Sequence, residues 1–149
     1  MINLDETEKV LNEVLVELFN DILTIEQSAI KANKLRDLSI TEVHTIEAIG
    51  MYEARTMSEV ASDLGITVGT LTTAINNLVK KDYVERKRIE EDKRVVLIQL
   101  TKKGKLAYRI HEKFHMDMIK NITSDLTEEE TKVLTEALEK QIGRASCRE

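Results

Sequence analysis

Residues 57 to 76, Met-Ser-Glu-Val-Ala-Ser-Asp-Leu-Gly-Ile-Thr-Val-Gly-Thr-Leu-Thr-Thr-Ala-Ile-Asn, limit the possible folds more than any other stretch of the chain. Thr56 with Glu59 fits a capping box that opens a short helix. Gly65 can take the positive φ that ends it. Thr67 then caps a second helix, expected to run to about Lys81. Val60, Leu64, Ile66 and Leu71 are apolar anchors for the crossing, and Ala61 lets the helices approach closely. The pair reads as a helix-turn-helix.

The residues after this pair complete a larger pattern. Val95 to Leu100 is rich in β-branched residues and predicts a strand, with Arg86 to Ile89 as its partner. Glu90 to Lys93 is wholly charged and makes a solvated hairpin tip. Helix-turn-helix followed by a basic hairpin is the order of a winged-helix domain, an architecture that grips duplex DNA.

The flanks are helical. Val10, Val14, Leu18, Ile22 and Ile25 recur every three or four residues, and Leu11, Leu15, Phe19 and Leu23 form a second row. So wide an apolar surface needs burial in several directions, which a dimer provides. Ser39 caps a helix carrying Val43, Ile46 and Ile49 to Gly50. Thr101 caps a long helix from Lys102 to about Ile122, and Thr127 with Glu130 opens a last one from Glu128. There is no proline to interrupt any of them. The expected fold is mostly α with a small β-hairpin wing. A winged helix-turn-helix DNA-binding domain is expected over 37–101, with N- and C-terminal dimerisation helices over 4–34 and 102–142. Residues 143–149 lose the helical pattern and read as a vector-encoded tail.

Net charge is −5, which taken alone opposes a nucleic-acid partner. Its distribution reverses the inference. Lys80 to Arg109 holds eleven Lys or Arg against five Asp or Glu, whereas Met1 to Ile30 holds one Lys against seven acids. A chain so polarised presents a basic face while staying acidic overall. Five aromatic residues are few for stacking single-stranded bases. The lone Cys147 can form no internal disulfide, and no signal peptide or membrane-length apolar run is present, so a cytoplasmic location is expected.

On a helical wheel, Leu71, Ala74, Ile75 and Leu78 share the buried side of the second helix. Gly69, Thr73, Asn76 and Lys80 lie opposite, flanked by Thr70 and Asn77, with Thr67 and Thr72 completing the candidate set. Ordinary solvated helix faces carry Glu and Lys, because Thr and Asn are poorer helix formers. An uncharged amide-and-hydroxyl face suits base edges: Asn pairs bidentately with adenine, and Thr offers a hydroxyl or touches a thymine methyl. Arg86, Lys87, Arg88, Lys93 and Arg94 of the hairpin are expected to neutralise phosphates. Asp92 is placed to hold the Arg94 guanidinium by a bidentate pair.

These residues, with Asp92-x-Arg94 and Leu100-Thr101-x-x-Gly104, resemble the MarR family of winged-helix repressors over residues 5 to 142. The resemblance implies a homodimer whose first and last helices intertwine, with recognition helices entering major grooves about 34 Å apart on a pseudo-palindrome. Leu38 to Gly50, and Leu100 to Met118 with Arg109-x-His111 and Phe114-His115, are similar to the fatty-acid-synthesis repressors within that family. That likeness implies repression of fatty-acid-synthesis genes, with long-chain acyl-acyl carrier protein as corepressor and no other cofactor. The carrier protein is acidic, so charge nominates Lys31, Lys34, Arg36, Lys102, Lys105 and Arg109 as docking cations.

The likeness also singles out His44, His111 and His115 as effector-site candidates. Packing or hydrogen bonding near an effector cavity is their expected role. His111 and His115 have the i,i+4 spacing that can hold zinc, but His44 completes such a set only if the fold brings it near, so no metal site is assigned. A MarR-type response to another small ligand or to a metal is the alternative regulatory reading. A helical protein-interaction module without DNA binding is the rival class; it leaves the Thr/Asn face and cationic hairpin unexplained. No phosphate loop, catalytic triad or metalloprotease motif points to an enzyme.

Overall fold

The computed structural model describes residues 4–32 and 34–146. In chain order the elements are α1 (Leu4–Ala32), α2 (Ile40–Ile49), β1 (Arg55–Thr56), α3 (Met57–Leu64), α4 (Val68–Lys80), β2 (Val84–Arg88), β3 (Val96–Leu100), α5 (Lys102–Thr123) and α6 (Glu128–Ser146). The chain divides into two compact units after Glu112.

In the first unit the local signals act as the sequence predicts. Ser39 and Glu42 form a reciprocal capping box at α2, and Thr56 and Glu59 another at α3. Gly65 ends α3 in the left-handed region at φ 65°, and the N–H of Ile66 reaches back to the Ala61 carbonyl at 3.0 Å. This closure satisfies carbonyls that the helix end would otherwise leave unpaired. Thr67 caps α4 by accepting from the Thr70 N–H.

The core lies between α2, α3, α4 and the sheet. Val43, Ile46, Ile49, Val60, Leu71, Ile75, Leu78, Tyr83, Val84 and Ile98 are buried there. Leu71, Ile75 and Leu78 occupy the buried side of α4, as the wheel requires, while Ala74 is half-buried.

The sheet has three strands in the order β1-β3-β2, all antiparallel neighbours, rather than the expected two. In β1, Arg55 pairs with Ile98 and Thr56 with Leu97. Two residues carry no strand periodicity, so β1 exists only because β3 offers it a partner. Arg55 fixes it by donating to the Ala48 carbonyl and pairing with Asp63, each at 2.7 Å.

The other unit holds the end of α5 and all of α6. Thr127 and Glu130 cap α6 reciprocally, each bond 3.1 Å long. The helix continues to Ser146, correcting the expected end at 142. Gly143 weakens a helix by only about 1 kcal/mol, and neither a proline nor a capping signal stops it. At the other end, α1 is described to Ala32, and Lys34, near its expected end, lies in a turn. Cys147 lies outside the described residues.

Candidate nucleic-acid interface

Helix α4 presents the face the sequence predicts. Gly69, Thr70, Thr73, Asn76, Asn77 and Lys80 are not buried, and they stand opposite the buried Leu71, Ile75 and Leu78. Thr67 is exposed too, but its hydroxyl serves the cap: it lies 2.9 Å from the Thr70 hydroxyl and accepts the Thr70 N–H. Thr72 is half-buried and donates back to the Val68 carbonyl at 2.8 Å, which makes it a poor base reader. Thr73 and Asn76 are the exposed polar groups best placed on the outer pole.

The wing adds one contact and corrects one expectation. Arg86 lies in the middle of β2, opposite Ile98, and its guanidinium donates to Asn76 Oδ1. It stays exposed and borders the α4 face, joining the wing to that surface. The Asn76 amide NH2 stays available as a donor, held in orientation by Arg86. Asp92 does not clamp the Arg94 guanidinium. Its carboxylate accepts the Arg94 backbone N–H at 3.0 Å, and its carbonyl accepts the Val95 N–H at 3.1 Å. Among the described residues no ion pair joins the two side chains, so Arg94 extends from a turn whose backbone Asp92 stiffens. Lys87, Arg88, Lys93 and Arg94 are all exposed.

A polar junction anchors the wing to the helices. The Tyr83 hydroxyl donates to Asp37 at 2.8 Å, and Lys81 pairs with the buried Glu42 at 2.9 Å. Burial, then the Asp37 carboxylate, push the Tyr83 phenol well above its ordinary range, so it stays a neutral donor. Lys103 lies 4.3 Å from the Tyr83 ring centre and donates to the Lys81 carbonyl.

The effector candidates fall into two sets. Lys31, Lys34, Arg36, Lys102, Lys105 and Arg109 are all exposed. Lys31 also lines a cavity of about 290 Å³ between the end of α1 and the start of α2, with Ile30, Leu38 and Ile40 among its walls. His44 and His111, by contrast, are brought together: both aim Nε2 at the same carboxylate oxygen of Glu26. His115 is half-buried, edge-on to Phe114 with ring centres 5.6 Å apart. Motif and spacing do not nominate Glu26. Its signal in the sequence is fainter: it stands four residues from Ile22 and from Ile30, an acid on an apolar stripe.

Comparison with known proteins agrees with this architecture. A family model for the transcriptional regulator SarA/Rot matches residues 26–109. The crystal structure of Streptococcus pneumoniae FabT in complex with DNA superposes with a TM-score of 0.91 at 39% identity, covering 95% of this chain and 99% of that one. The multiple antibiotic resistance protein MarR of Escherichia coli is 29% identical over 136 residues, 83% of this chain and 94% of that protein. The regulator PchR of Bacillus subtilis is 24% identical over 108 residues, 72% of this chain, and the chain spans only 60% of that relative's length. The matched proteins are regulators rather than enzymes, and no helix among the described residues is long and apolar enough to cross a membrane. The chain belongs to the MarR family of winged-helix transcriptional regulators.

Proposed function

We propose that this protein is a homodimeric repressor that binds a pseudo-palindromic operator of fatty-acid-synthesis genes, with long-chain acyl-acyl carrier protein raising its affinity. The observation that carries the DNA reading is the exposed, uncharged Thr73–Asn76 face of α4 beside a cationic wing. The likeness to a FabT solved with DNA supports it. Self-association is supported by the apolar rows of α1, where Val14, Leu18, Phe19 and Leu23 are exposed in a single chain, and of α6, where Val133, Leu138 and Ile142 are. The carrier-protein role rests on the FabT likeness and on the exposed cations, with Lys31 lining a cavity whose walls mix polar and apolar residues.

An electrophoretic shift across a salt series tests the DNA reading. A steep fall of affinity with salt, and binding to one promoter site that resists competitor DNA, are expected. Arg94→Ala should weaken binding to most sequences and reduce the salt slope by about 1. An unchanged slope would mean that the wing stays off the backbone. Adding long-chain acyl-acyl carrier protein should tighten operator binding. No effect, or the opposite sign, would reject the fatty-acid effector and favour a small ligand.

A further inference from the structure

We infer that Glu26, His44 and His111 form a binding site for one divalent transition-metal ion, zinc by its donor set, clamping α1, α2 and the first half of α5. Glu26 Oε1 lies 3.1 Å from His44 Nε2 and 3.3 Å from His111 Nε2, and the three ligand atoms all lie within 4.8 Å of one another. Donors about 2.0–2.1 Å from a tetrahedral zinc are separated by about 3.3 Å, so these spacings fit edges of such a site.

Burial points the same way. Glu26 and His111 are each 5% exposed. A dication seated among them would offset the cost of holding a carboxylate at that depth, and it would take a lone pair from each imidazole. Glu47 is a second carboxylate beside the site, its Oε2 3.5 Å from His111 Nε2, but outside the mutually close set of three ligand atoms. Glu47 follows His44 by three residues and so shares its helix face. The His44 side chain is 43% exposed, which leaves the site an entry path. Two imidazoles and one carboxylate are a borderline donor set that suits zinc better than calcium or magnesium.

The positions are far apart in sequence, and the helices they join differ in role. The α2 helix belongs to the winged-helix core, whereas α1 carries the exposed apolar rows. An ion here would fasten one to the other.

The test uses the full chain, stripped with a chelator and titrated with zinc against a chromophoric competitor. One ion per chain is expected, with a rise in melting temperature and, on cobalt substitution, visible d–d absorption. His44→Gln and Glu26→Gln should each weaken binding by more than the about 10–100-fold that outer-shell changes cost. His44→Gln is the safer variant for folding, because its side chain is partly exposed. Saturable binding that both variants leave unchanged, or no uptake at micromolar zinc, would overturn the site. No DNA enters this measurement, so its failure is distinct from failure of the repressor reading.

Discussion

Replacing Gly104 by alanine is expected to destabilise the protein by roughly 1–3 kcal/mol, the range for overpacking a filled site. A Cβ there would sit 2.1 Å from the Tyr83 carbonyl oxygen, 3.1 Å from its carbon and 3.2 Å from Leu100 Cβ. The obstacle is backbone, and it is held. The Tyr83 carbonyl accepts the Thr101 N–H at 3.0 Å, while Thr101 Oγ1 donates to the Asp82 carbonyl and accepts the Gly104 N–H at 3.1 Å. Relief therefore requires the start of α5 to move away from the root of the wing. Gly143 is the control: nothing lies within 4 Å of its added Cβ, and alanine there should be neutral or stabilise α6 by up to about 1 kcal/mol. Urea unfolding at fixed protein concentration compares the two. If Gly104→Ala matches the parent, the contact between α5 and the wing root is slack.

The second large effect is on recognition. Asn76→Ala should cut discrimination between operator and random DNA by about 1–3 kcal/mol, a loss of roughly 5- to 150-fold in the ratio of affinities. Folding should not suffer, because alanine is the better helix former at an exposed site. The variant also frees the Arg86 guanidinium, now bonded to Asn76 Oδ1, so non-specific affinity should hold or rise slightly. Competition binding with operator and scrambled duplexes reads both numbers. Equal losses on the two DNAs would remove Asn76 from base reading and assign it to backbone contact.

The chain by itself determined what depends on near neighbours along it. Caps at Ser39, Thr56, Thr67, Thr101 and Thr127, the turn at Gly65, and the buried and exposed sides of α4 all arise from interactions three or four residues apart. Such interactions are written into spacing, so spacing reveals them. Misplaced helix ends, as at Ser146, came from weak stop signals rather than from a wrong periodicity.

Tertiary structure decided the rest. The β1 strand formed only where β3 lay open to it, and Arg86 found Asn76 because the hairpin folds back on α4. Gly104 became a tight position through Tyr83, and Glu26 met His44 and His111 across three helices. Each of these contacts closes a loop of chain, and its partner depends on how the elements pack rather than on any local preference. A carboxylate on an apolar stripe marks such a position in advance, but only packing identifies what it meets.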